Sequence, residues 1–135
     1  MIQYKKEENL SLNEFRSLLL NSTLGERRPI KDPERLSEML KHANLIITAR
    51  DNGKLVGIAR SLSDFAFCTY LSDLAVDEKY QKKGIGKELI RLTKLASPGA
   101  KLILLSAPKA VNYYPKIGMT RWEQCFVLEN IDDLK

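Results

Sequence analysis

The sequence predicts an α/β (α+β) fold with a mixed central sheet flanked by helices, and three observations carry that reading. Two segments rich in β-branched and aliphatic residues, 45–50 and 54–61, flank Asp51-Asn52-Gly53, whose residues supply the positive φ of a tight turn. That is an antiparallel hairpin. A long β-like run over 66–76 is followed by an amphipathic stretch over 84–96 and then by the apolar run Leu102-Ile103-Leu104-Leu105. Strand, crossover helix and strand form a parallel β-α-β unit. Two further segments in the first third of the chain have apolar residues at helical spacing.

Residues 2–6 read as a first strand. Ser11-Leu12-Asn13-Glu14 has capping-box spacing, so a helix starts there with Leu12, Phe15, Leu18 and Leu19 on one face. Gly25 and Pro29 end it. Asp32-Pro33 pairs an N-cap with a proline at the first helical position, and Leu36, Met39, Leu40 and Ala43 continue a second stripe through about residue 43. In the third helix Ile85, Leu89, Leu92 and Leu95/Ala96 are expected to face inward, before Pro98-Gly99 stops it. A short helix over about 110–116 and a last strand over about 121–128 complete the chain. With 135 residues and neither repeat nor linker, residues 1–135 are expected to form a single domain.

A hydrophobic fraction of 44% and a charged fraction of 29% exclude the compositions of disordered and fibrous chains. No apolar run reaches the roughly 18 residues that span a bilayer, and the first residues lack the apolar stretch of a signal peptide, so a cytoplasmic protein without a membrane partner is expected. Cys68 and Cys125 support neither a disulfide framework nor a zinc site, and two buried free thiols are expected. The formal charge of +5 is spread along the chain without a long basic block or an aromatic ladder, which argues against a nucleic-acid partner. A local excess at Lys79, Lys82, Lys83 and Lys87 suits a phosphate-rich ligand.

That excess surrounds the most informative segment, Gln81-Lys82-Lys83-Gly84-Ile85-Gly86. Glycines at the start of a helix let successive backbone N–H groups face an anion without Cβ atoms in the way, and the helix dipole favours negative charge there. The spacing argues against two nucleotide motifs. A Walker loop needs glycine where Gln81 stands and Ser or Thr where Glu88 stands. A dinucleotide fingerprint needs glycine where Leu89 stands.

After a strand and before a helix, Gln81 through Gly86 resembles the acetyl-CoA loop of the GNAT superfamily of N-acetyltransferases: Arg or Gln, two residues, Gly, one residue, Gly or Ala. The resemblance extends back through Leu74-Ala75-Val76 and Tyr80 and forward to Ala110-Val111-Asn112-Tyr113-Tyr114-Pro115-Lys116-Ile117-Gly118-Met119, which is similar to the family's second signature. Glu78 stands where the family often has proline and Met119 where it usually has phenylalanine; both change shape rather than chemistry.

The resemblance implies a mostly antiparallel sheet with one parallel strand pair that splays apart to admit the pantetheine arm of acetyl-CoA. Leu74, Ala75 and Val76 would hold that arm through their main chain. Gln81, Lys82, Lys83, Gly84, Ile85, Gly86 and Lys87 would cradle the pyrophosphate, and Asn112 would contact the arm or cap a helix. No metal is implied. The reaction implied is direct transfer of acetyl to a primary amine of a small molecule or peptide, by a monomer or homodimer; a noncatalytic acyl-CoA sensor is the alternative. Tyr114 falls on the position of the tyrosine beside the thiol and is the candidate acid, while Tyr113 reads as core. Asp73, acidic within an apolar strand, is the candidate base, with a structural hydrogen-bonding role equally open. His42 reads as a surface residue and Cys68 as a plain thiol. Arg27 and Arg28 are expected near the acceptor pocket, as recognition groups or solvated loop charges.

Overall fold

The computed structural model describes residues 1–135, which divide into two compact units, 1–105 and 106–135. The first unit carries β1 (Ile2–Lys6), α1 (Leu12–Asn21), α2 (Pro33–His42), β2 (Leu45–Asp51), β3 (Lys54–Ser63), β4 (Cys68–Val76), α3 (Ile85–Ala96) and β5 (Lys101–Ile103). The sheet runs β1-β2-β3-β4-β5, antiparallel at every step except the parallel β4–β5 pair. The mixed sheet follows from the hairpin and the β-α-β unit. The Asn52-Gly53 turn has φ values of 48° and 87°, as a tight hairpin turn demands.

Two apolar clusters are built on the sheet. Phe15, Leu18, Leu19 and Leu36 from α1 and α2 pack with Ile46, Ile58 and Ala75, whereas Ile85 and Leu89 from α3 pack with Ile47, Ala49, Val56 and Leu71. The caps anticipated for α1 and α2 are formed: Ser11 accepts from the Glu14 amide at 3.3 Å and Asp32 from the Arg35 amide at 3.1 Å. The stripe of α3 differs at its end. Leu95 is 58% exposed and Ala96 faces solvent, while Thr93 and Ser97 are buried. An inward row at Ile85, Leu89, Thr93 and Ser97 keeps a four-residue spacing, and the two hydroxyls satisfy themselves on the carbonyls of Leu89 and Thr93. Ser97 also receives a bond from Thr69 of β4 at 3.0 Å.

At Gly57 of β3 the side chains of α3 pack closely on the sheet. A Cβ there would lie 3.1 Å from both Ile85 Cγ2 and Leu89 Cδ1 and 3.2 Å from Ala49 Cβ. Gly57→Val is therefore expected to push the start of α3 off the sheet and to cost about 1–3 kcal/mol, read as a lower urea midpoint at unchanged m-value.

Several boundaries depart from the sequence reading. Residues 66–67 lie outside β4, and β5 covers 101–103 rather than 102–105. In the second unit the 110–116 helix is reduced to a 3₁₀ turn at Pro108–Ala110 and α4 (Tyr113–Lys116). The strand expected over 121–128 is not formed: those residues are irregular and exposed, and a short 3₁₀ turn follows at Ile131–Asp133. A strand needs an edge to pair with, and β propensity alone does not supply one. Cys68 and Cys125 are exposed, not buried, because Cys68 sits at the first residue of β4 beside the Asp64 turn and Cys125 lies in the irregular segment.

Candidate functional site

β4 bonds to β5 over only three rungs, Cys68↔Lys101, Thr69↔Leu102 and Tyr70↔Ile103. Beyond Tyr70 it continues to Val76 paired only with β3. The parallel pair thus opens after three residues, and Leu74, Ala75 and Val76 lie along the free edge. A bulge accompanies the opening: Arg60 pairs with Asp73 and Ser61 with Leu71, so Ser72 is an extra residue of β4. In a regular strand Leu71, Asp73 and Ala75 would share one face. With the bulge, Leu71 joins the α3 cluster and Ala75 the α1–α2 cluster.

The chain then turns at Asp77, whose side chain caps the Lys79 amide at 2.9 Å, and enters the Gln81–Lys87 segment. Lys82 (φ 63°) and Gly84 (φ 83°) are both left-handed, two residues apart. Gly84 is the N-cap of α3, and no side chain caps this helix. The first helical bond runs from the Glu88 amide to the Gly84 carbonyl. The amides of Ile85, Gly86 and Lys87 therefore have no intrahelical partner and stand at the positive end of a twelve-residue helix. Gln81 donates its amide to the Val76 carbonyl at 3.0 Å, tying the loop to the end of β4. Lys83 lies 5.5 Å from the Tyr80 ring centroid, and the Tyr80 hydroxyl donates to Asp51 at 2.7 Å. That bond raises the Tyr80 phenol and lowers the Asp51 carboxyl.

These features fit the pyrophosphate and arm of coenzyme A. The free edge of β4 offers main-chain groups to an extended amide-bearing arm, and it runs directly into unbonded amides with Lys82, Lys83 and Lys87 exposed around them. No group of His, Cys, Asp and Glu is arranged to hold a metal ion.

Asp73 is fully buried, and both its oxygens are engaged. Arg28 Nε donates to one at 2.5 Å and Arg60 Nε to the other. Arg28 also donates to the Ser72 carbonyl at 2.7 Å, and Arg60 to the Ser72 hydroxyl at 3.1 Å and the Met39 carbonyl at 3.0 Å. The residue weighed as a base is thus the centre of a two-arginine clamp on the β4 bulge. Arg28 belongs to that clamp, whereas Arg27 is exposed. His42 is exposed and paired with Glu38 at 2.9 Å.

In the second unit Tyr113 and Tyr114 pack edge to face, centroids 5.3 Å apart at 73°. Burial pushes the Tyr114 phenol up, and Tyr113 adds to the effect. Asn112 precedes α4 and makes no side-chain cap.

Two participants were missed from sequence. Arg60 lies in an apolar strand and is only 5% exposed, a location that demands a counterion; aligning β3 with β4 across from Asp73 would have found the pair. Tyr70 occupies the last rung before the opening, and no local pattern marks where two strands part.

The comparisons agree with this architecture. Residues 20–135 match the family model described as an acetyltransferase (GNAT) domain. An uncharacterized N-acetyltransferase, ycf52, of Pyropia yezoensis is 31% identical over 128 residues, covering 89% of this chain and 71% of that protein. A chloroplastic N-acetyltransferase of Arabidopsis thaliana is 33% identical over 95 residues, 70% of this chain and 36% of that protein. Among solved structures, a GNAT-family acetyltransferase of Streptococcus pneumoniae TIGR4 superposes with a TM-score of 0.78 at 25% identity, covering 97% of this chain and 98% of that one. With a family model matched over most of its length, this chain belongs to the GNAT family of acetyltransferases.

Proposed function

We propose that the chain, acting as one domain over residues 1–135, transfers the acetyl group of acetyl-CoA directly to a primary amine in a ternary complex. The observation that carries this reading is the continuous path from the free edge of β4 at Leu74–Val76 into the uncapped, lysine-flanked start of α3. Main-chain groups of Leu74, Ala75 and Val76 bind the pantetheine arm, and the segment Gln81–Lys87 binds the pyrophosphate. Asn112 contributes its amide to the arm.

In this reading a neutral amine attacks the thioester carbonyl, a C–N bond forms, the C–S bond breaks, and the departing sulfur takes the proton of the Tyr114 phenol. A phenol raised by burial is protonated at neutral pH and so has that proton to give. For Asp73 we favour the structural of the two roles open from sequence: taking up a proton there means surrendering one of two guanidinium bonds. The proton lost by the amine then leaves through water. No helix of the chain is long and apolar enough to cross a membrane. We place its activity in the cytoplasm or, by analogy with the chloroplastic relative, in an organelle.

The test is thiol release from acetyl-CoA with a panel of primary amines, run beside calorimetric titration of coenzyme A. Release with at least one amine supports the proposal; coenzyme A binding without release from any amine sinks it in favour of a noncatalytic acyl-CoA sensor. Gly84→Val is expected to weaken coenzyme A binding about 10-fold or more, because a β-branched residue strains at φ 83° and leaving that geometry turns the first-turn amides away. Unchanged affinity would remove the loop from the binding site.

A further inference from the structure

The turn between β2 and β3 is tied by one hydrogen bond to the segment that leads into α3. The Tyr80 hydroxyl donates to Asp51 Oδ2 at 2.7 Å, across twenty-nine positions of sequence. Both ends of that bond are fixed. Asp51 closes β2, paired with Ile2 on one side and with Lys54 on the other. Arg50 donates to the Gly53 carbonyl at 2.8 Å and is itself held by Glu7 and Glu14, so the turn has little freedom. The Tyr80 ring packs against the α3 apolar cluster, and its amide bonds the Asp77 carbonyl at 2.8 Å.

Lys83 is the side chain that this contact reaches. Its ammonium lies 5.5 Å from the Tyr80 ring centroid, and the Asp51 carboxylate is near enough for the two charges to interact. Cation–π attraction and the opposite charge therefore act on it together. The other three lysines of the local excess differ. Lys79, Lys82 and Lys87 are exposed, and no hydrogen bond, ion pair or ring contact holds their side chains. An unrestrained lysine gives up rotamer freedom when it closes on a phosphate, whereas a side chain already held in place has given up much of it beforehand.

We infer that Asp51 and Tyr80 are positioning residues of the coenzyme A site, which hold the Lys83 ammonium ready for the pyrophosphate. The inference rests on the coenzyme A reading of the Gln81–Lys87 segment and extends that site to the β2–β3 turn, outside the glycine segment. It also ranks the lysines. Lys83 is the ordered phosphate ligand, and Lys82 and Lys87 contribute diffuse charge.

Calorimetric titration of the full chain with coenzyme A tests this. Lys83→Ala removes a charge-assisted phosphate bond and is expected to raise the dissociation constant about 10-fold, against about 2-fold for Lys87→Ala. Tyr80→Phe keeps the ring on the α3 cluster, so its urea midpoint should hardly move. It should still raise the dissociation constant about 5-fold, because the ring is no longer tied to Asp51. Asp51→Ala removes the acceptor of the same bond and should match it. The double variant Tyr80→Phe/Lys83→Ala should bind within about 2-fold of Lys83→Ala alone, since the tyrosine acts through the lysine; a merely structural tyrosine would give the product of the two losses. No binding by wild type sinks the coenzyme A reading itself. Where wild type binds, Tyr80→Phe or Asp51→Ala at wild-type affinity overturns the inference alone, as does a Lys83→Ala loss no larger than that of Lys87→Ala, or a double variant that shows the full product.

Discussion

Tyr114→Phe is expected to lower kcat for acetyl transfer about 100-fold, at the lower end of what a positioned general acid contributes, while the coenzyme A dissociation constant changes by less than about 3-fold. The substitution keeps the ring, and with it the edge-to-face packing on Tyr113, so thermal stability should hardly move. Only the proton is lost. Burial, with Tyr113 second, raises the phenol above its ordinary value of 10.0. A group that works protonated and has a raised pKa stays competent to higher pH, so the acid should not fail until above pH 10. The pH profile of kcat/KM in wild type and variant, with acetyl-CoA saturating, measures both effects. An unchanged kcat removes Tyr114 from the acid role; a fall in kcat matched by an equal loss of coenzyme A affinity assigns it to binding instead.

Asp73→Ala carries the largest expected effect on stability. It leaves Arg60, with a side chain 6% exposed, beside Arg28 with no counterion between them. Removing one partner from a buried ion pair costs about 3–5 kcal/mol, because the remaining charge cannot be rehydrated. That is a large share of the roughly 5–15 kcal/mol that holds a domain folded. Asp73→Asn keeps the shape and some hydrogen bonds but not the charge, and should fall between wild type and alanine. Urea unfolding gives the ranking, and kcat at a temperature where each variant is folded gives the mechanism. A base at Asp73 predicts the reverse pattern: Asn folded nearly as stably as wild type but inactive. The clamp predicts a stability loss with kcat retained in the folded fraction.

The two arginines illustrate where sequence reading stops. Arg28 looked like a loop charge because its neighbours in sequence are Glu26, Arg27 and Pro29, all of surface character. Its partner is forty-five positions away, and only the folding of the 3₁₀ segment Thr23–Arg27 against β4 brings them together. Arg60 was passed over because a buried charge is detectable only with its counterion, and the β3–β4 register supplies it. By contrast, the caps of α1 and α2, the hairpin turn and the start of α3 rest on residues within a few positions of one another, and each of these was legible.

The strand expected at 121–128 fails for a related reason. Its aromatic and branched residues state a preference for extended backbone, but the hydrogen bonds of a strand come from a neighbour that local sequence does not name. Cys125, expected to be buried with that strand, is exposed with it. The Leu95 and Ala96 positions were lost differently. A nominal helical period allows either that pair or Thr93 and Ser97 to face inward at the end of α3, and the hydroxyl chain from Thr69 through Ser97 to the Thr93 carbonyl selects the polar pair.

By itself the sequence determined the local features: where helices start, where the chain turns, and which segment can present bare amides to an anion. These depend on φ, on capping and on glycine, all of which act over a few residues. Tertiary structure decided where β4 and β5 part, that Ser72 is the bulge, that Asp73 is clamped by Arg28 and Arg60, and that residues 124–129 form no strand. Each of those depends on which distant backbone or charge comes to lie alongside, a choice made by the whole sheet rather than by any stretch of residues.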